Sequence, residues 1–115
     1  MRQIRLCCVP HTNLQFDVVV AEQFTQRLIG LLKTRRAPPP GKGLLIRPGG
    51  SVHSLGMHEA IDVIHLDQHN RVITRQHLKP WRAAFAPQGT HTTLEIACHQ
   101  LPKDINGCYF VEETP

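Results

Sequence analysis

Residues 61–78 read IDVIHLDQHNRVITRQHL, and this stretch decides the fold class. From Ile61 to Asp67 the run is rich in β-branched side chains, which suit a pleated, half-buried surface. Asp67-Gln68-His69-Asn70 supplies turn chemistry, because Asn70 can take the left-handed backbone usually left to glycine. Arg71 to Leu78 then returns as the second arm of a hairpin. Side chains alternate along a strand, so Asp62 shares a face with Ile64 and Leu66, while Ile61, Val63 and His65 take the other. Both faces are largely apolar, and the strand is expected inside the domain. A carboxylate placed there must be paired, hydrogen-bonded or protonated, because burying a bare charge is costly. Asp62 is therefore either a site residue or a structural acceptor that pins a turn or an arginine such as Arg27 or Arg82.

Outward from this hairpin, further short strands are expected at Gln15–Val20, Gly43–Ile46, Ser51–Ser54, Thr93–Cys98 and Cys108–Glu112. Val20, Phe24, Leu28, Leu31 and Leu32 recur at spacings of three and four, which predicts one short amphipathic helix. Three successive prolines, Pro38–Pro40, forbid helix and mark a loop. Arg47-Pro48-Gly49-Gly50 and Asn106-Gly107 mark turns, Gly56 a bend, and residues 79–92 a long loop. The expected class is α+β, mainly β: a small barrel or sandwich of about six to eight short strands with one helix. Residues 1–14 are expected as an N-terminal extension or edge strand, and residues 15–115 as one β-rich domain.

The 115 residues are 41% hydrophobic and 19% charged, close to globular averages, which argues against a disordered chain. No apolar run approaches the ~20 residues of a membrane helix. The first residues lack the apolar segment of a secretory signal, so a cytoplasmic location is expected. Thirteen Lys and Arg against nine Asp and Glu give a net charge of +4. Arg27, Lys33, Arg35, Arg36, Lys42 and Arg47 lie in a stretch without a single acid, which could attract phosphate, carboxylate or an acidic partner. Nucleic acid is not expected, because aromatic residues are only 5% and no RNP-type or zinc-finger pattern accompanies the charge.

The four cysteines, Cys7, Cys8, Cys98 and Cys108, show no CxxC spacing and are most simply reduced thiols. Eight histidines invite a metal. His53 and His58, five apart, fall on opposite faces of a strand, and only a bend at Gly56 could bring them together with Asp62 or His65. With no HExxH motif, no metal and no cofactor is expected. His65 reads as a core histidine. Neighbours on a strand point opposite ways, so His99 does not by its adjacency activate Cys98. No nucleophile elbow, P-loop or dinucleotide fingerprint is present, and no catalytic residue is assigned.

The runs FDVVVAEQFTQRLIGLLKTRR (16–36), GKGLLIRPGGSVHSLGMHEAIDVIHLDQHNRVI (41–73), KPWR (79–82) and TLEIACHQL (93–101) resemble, in order and spacing, the small bacterial and archaeal domain of unknown function family 192. The block Ser51–Asp67 is the most specific part. The resemblance implies a mostly β domain with one helix and carries no assigned activity. The family's recurrent positions would fall on Arg27, Gly30, Gly43, Ser51, His53, Gly56, Met57, Asp62, Asp67, Pro80, Trp81 and Glu95. Ala60 stands where the family usually has proline, and His69-Asn70 replaces its usual Asp-Gly turn.

The function expected from these features is a small non-catalytic binding or accessory domain. Its cleft would be lined by His53, Met57, Asp62 and Trp81, with Arg82 or Arg47 gripping an anionic small molecule or an acidic protein segment. Two alternatives stand beside it. One is a metal-assisted hydrolase using His53, His58 and Asp62; the other is an interaction module presenting Pro38–Pro40.

Overall fold

A computed structural model describes residues 2–22 and 36–114. Nine strands run along the described chain: β1 (Arg2–Val9), β2 (Gln15–Ala21), β3 (Lys42–Ile46), β4 (Val52–His53), β5 (Ile61–Leu66), β6 (Val72–Leu78), β7 (Ala83–Ala84), β8 (Thr92–Ala97) and β9 (Tyr109–Glu113). Seven form one sheet in the order β6-β5-β8-β3-β2-β1-β9, and β4 pairs with β7 in a small ribbon. All pairings are antiparallel except β2 with β3.

The large sheet curls until its two outer strands meet. Arg71 forms an isolated bridge to Tyr109, the Val72 N–H donates to the Cys108 carbonyl, and the Phe110 N–H donates to the Asn70 carbonyl. Beyond that corner the free edge of β6 is covered by the connection from β8 to β9. The Arg75 guanidinium donates to the carbonyls of Pro102 and Lys103, both at 2.5 Å. The inside of the curl is the main core. Ile4, Leu6, Phe16, Val18, Val20, Leu45, Ile64, Leu66, Leu94, Ile96 and Phe110 line it, and Leu101, Ile105 and Cys108 of the connection plug it.

A second, smaller core lies on the outer face of β5 and β6, where Ile61, Val63 and Leu78 meet Met57 and Ala84 under the ribbon. Every residue of β5 is buried as a result, which is why its sequence is apolar on both faces. His65 sits on this strand fully buried, its Nδ1 3.2 Å from Thr74 Oγ1. Burial holds its pKa below the usual value, the Gly50 carbonyl offsetting part of the effect, so it is a neutral core histidine.

The expected α+β class is corrected to all-β for the described residues, which contain no helix. Val20, the first residue of the expected helical stripe, belongs to β2, because it completes the β-branched run that pairs with β1 and β3. The remainder of that stripe, Phe24 to Leu32, lies outside the described residues. Residues 2–9 are not an edge: β1 pairs on both sides, with β2 and β9. The expected turns hold, with Asn70 at φ 60°.

Gly49 shows how tightly the β3–β4 turn lies against β8. A Cβ there would stand 2.6 Å from the Thr92 carbonyl carbon and 2.7 Å from the Thr93 nitrogen, both backbone atoms, whereas at Gly50 it would meet nothing within 4 Å. Gly49→Ala should therefore cost about 1–3 kcal/mol, while Gly50→Ala stays within about 0.5 kcal/mol. Urea unfolding with an unchanged m-value would measure both.

Candidate functional site

Asp62 lies near the start of β5 on the face that turns toward the main core, opposite His77 of β6 and Ile96 of β8. Its side chain is only 9% exposed, and it is compensated twice. Oδ1 lies 3.1 Å from His77 Nδ1, and Oδ2 accepts the His99 N–H at 3.3 Å. His99 has φ 65° in the turn after β8, which aims its N–H back at the strand. The acid thus pins a turn, with a histidine rather than an arginine as its second partner.

Cys98 follows β8 two residues after Ile96, so strand alternation brings it to the same face as Asp62 and His77. Its Sγ lies 3.5 Å from His77 Nδ1. Asp62, His77 and Cys98 each place a ligand atom within 4.8 Å of the other two, and this is the group of three such side chains among the described residues. The His99 ring packs on that of His77 with centroids 5.7 Å apart.

The trio has the composition of a nucleophilic triad but not its wiring. A triad uses one imidazole nitrogen for the nucleophile and the other for the acid, whereas here sulfur and carboxylate face the same Nδ1. Burial, helped by the Asp62 charge, also pushes the Cys98 thiol up, the wrong direction for a thiolate.

The remaining residues expected at the site fall into two places. His53 sits on the ribbon, its Nδ1 accepting the Leu55 N–H at 3.3 Å, and Met57 is buried beneath in the second core. Trp81 and Arg82 are tied to the ribbon by Ser54. The buried Ser54 hydroxyl donates to the Lys79 carbonyl at 2.5 Å and accepts the Arg82 N–H at 2.9 Å, while its carbonyl accepts the Trp81 N–H at 3.0 Å. This holds Trp81 at φ 61° with 61% of its surface exposed. Leu55 is 48% and Phe85 76% exposed nearby in sequence and register. Asp62 faces the main core and the ribbon covers the opposite face, so the two groups do not share one hollow. His53 and His58 are likewise not among the ligand-forming trio.

Arg47 lies elsewhere. Its Nε donates to Thr92 Oγ1 at 3.0 Å, and its Nη atoms donate to both Glu112 oxygens and to Asn70 Oδ1. Thr92 opens β8 opposite Leu66, while Asp62 lies opposite Ile96, so Arg47 and Asp62 sit toward opposite ends of β5. Pro38–Pro40 precede β3, with the Pro39 carbonyl accepting the Lys42 N–H and Ala37 packed on the second core. His77 and Cys98 carry no linear motif. Only the hairpin register, which sets Asp62 opposite His77, could have signalled them.

A family model described as "Uncharacterized ACR, COG1430", DUF192, matches residues 8–103. The chain belongs to this family. Two relatives are UPF0127 protein PF1050 of Pyrococcus furiosus, 39% identical over 61% of this chain, and UPF0127 protein PH1112 of Pyrococcus horikoshii, 41% identical over 57% of it. The matches span 62% and 59% of those relatives. Among solved structures, a protein provisionally called a transcription regulator, from Sinorhizobium meliloti, is similar with a TM-score of 0.79 and 15% identity over 96% of this chain and 93% of that one. A protein of unknown function from Novosphingobium aromaticivorans is similar with a TM-score of 0.73 and 16% identity over 95% and 83%. At such identities the likeness is one of fold alone.

The Arg47 cluster makes a pH prediction. Glu112 is held below its ordinary 4.5, chiefly by the Arg47 hydrogen bond, so the stability it contributes is present above that value and lost as pH falls through the lowered folded value. Arg47→Gln should cost about 1–2 kcal/mol near pH 7. The gap to the parent protein should shrink as urea midpoints are followed downward from pH 5.

Proposed function

We propose that this chain is a small non-catalytic binding domain whose recognition surface is the outer side of the β4–β7 ribbon, with Trp81 as anchor and an acidic protein segment as partner. The observation that carries this reading is the backbone of Trp81. A bulky aromatic at positive φ costs on the order of 1–3 kcal/mol, and such strain concentrates where a fold presents a functional group. Ser54 meets that cost with buried hydrogen bonds, and what results is an indole turned to solvent.

The surroundings fit a protein segment better than a small anion. Leu55, Trp81 and Phe85 expose about half or more of their surface, so they line no enclosed hollow of the kind that buries a metabolite. Lys79 and Arg82 flank Trp81 in the chain and are exposed, which sets cationic groups beside apolar ones. Aromatic and arginine side chains supply most of the affinity at protein interfaces, and a carboxylate-bearing partner would complement the charge.

Trp81 is the one tryptophan of the chain, so its fluorescence reports on this surface directly. Titration with a peptide alternating glutamate and leucine should shift that emission saturably, and amide shifts should gather at residues 53–55 and 79–86. Arg82→Glu should weaken binding by about tenfold or more with the melting temperature unchanged. Shifts confined to other residues, or an equal response to phosphate-bearing metabolites alone, would count against the reading.

A further inference from the structure

We propose that Asp62, His77 and Cys98 form a site for one divalent transition-metal ion of the zinc, cobalt or nickel class. The inference is independent of the ribbon surface and stands on how three donor atoms converge. His77 Nδ1 is shared: Asp62 Oδ1 lies 3.1 Å from it and Cys98 Sγ 3.5 Å. An imidazole nitrogen carries either one proton or one lone pair. A proton on Nδ1 can be directed at the carboxylate or at the sulfur, but not well at both. An ion at the centre of the trio resolves the conflict, accepting the nitrogen lone pair, the carboxylate and the thiolate together.

The distances suit that ion. With bonds of about 2.0–2.1 Å to nitrogen and oxygen and about 2.3 Å to sulfur, a tetrahedral metal separates its ligand atoms by roughly 3.3–3.6 Å. The observed separations from His77 Nδ1 differ from this by tenths of an ångström, and all three donor atoms already lie within 4.8 Å of one another. One sulfur, one nitrogen and one oxygen favour borderline metals over magnesium or calcium, which take oxygen ligands.

The supports are also in place. The carboxylate is oriented through its other oxygen by the His99 N–H, the kind of outer contact that fixes a ligand before the metal arrives. His77 is 44% exposed, so an ion can enter from solvent, and three protein ligands leave a fourth position open. The His99 ring packs against that of His77, with centroids 5.7 Å apart. The turn that gives His99 its positive φ therefore follows Cys98 directly, supplies a backbone donor to Asp62 and sets a second imidazole against His77.

The test uses the full chain, purified without a histidine tag, reduced and freed of metal by chelation, then titrated with cobalt(II). One equivalent should produce a thiolate-to-cobalt charge-transfer band that zinc displaces and magnesium does not. Cys98→Ala should abolish the band, and His77→Gln should weaken zinc binding by at least about tenfold. The double variant His53→Ala/His58→Ala should bind as the parent does. Thermal melts of each variant establish that it is folded, and on folding of the parent, loss of the His77 Nδ1 signal from its free position on zinc addition reports the same contact without any substitution. Absence of saturable one-to-one binding, or a band that survives Cys98→Ala in a folded protein, would overturn the proposal.

Discussion

The fold depends on one strand being buried on both sides. β5 separates the main core from the smaller core under the ribbon, so it can have no solvent face. Its backbone groups are satisfied by β6 on one side and β8 on the other. Its two polar side chains then have to find partners within the protein. His65 does so against Thr74 and stays neutral; Asp62 does so against His77 and the His99 backbone. The second solution places a carboxylate, an imidazole and a thiol together at one end of the curled sheet. A packing constraint has thus brought three potential ligand groups together.

Much of this was legible in the residues. Apolar character on both faces of Ile61–Leu66 announced a strand between two layers, and the requirement that Asp62 be compensated followed from the cost of burying charge. The strands expected at Gln15–Val20, Gly43–Ile46, Ser51–Ser54, Thr93–Cys98 and Cys108–Glu112 each overlap an observed strand, and Asn70 takes the left-handed backbone its turn chemistry suggested. What could not be read was long-range pairing. Nothing local in RQIRLCCV shows that β1 pairs on both sides, and Ala83-Ala84 is too short to signal a strand. Arg47 looked like a ligand-gripping cation because its partners, Glu112 and Asn70, are far along the chain. The expected cleft joined Asp62 to Trp81 across a strand that in fact divides them.

The two proposed sites therefore sit on opposite faces of the same strand. At one end of the curled sheet, three donors converge by register. On the ribbon, one buried hydroxyl, that of Ser54, organises a loop and turns an indole outward. Neither needs the other geometrically, and the helix-free scaffold of the described residues holds both through ordinary antiparallel pairing.

The corner where Arg71 meets Tyr109 gives the curled sheet a seam. Around the rest of the sheet, neighbouring strands pair over four or more residues, but among the described residues this corner is held by a single bridge, two flanking backbone hydrogen bonds and the side chains of Arg47, Asn70 and Glu112. Local opening is easiest where backbone pairing is sparsest, which singles out this corner of the sheet. His77 lies toward the far end of β6 from this corner, so an opening at Arg71 would leave the Asp62–His77 contact in place.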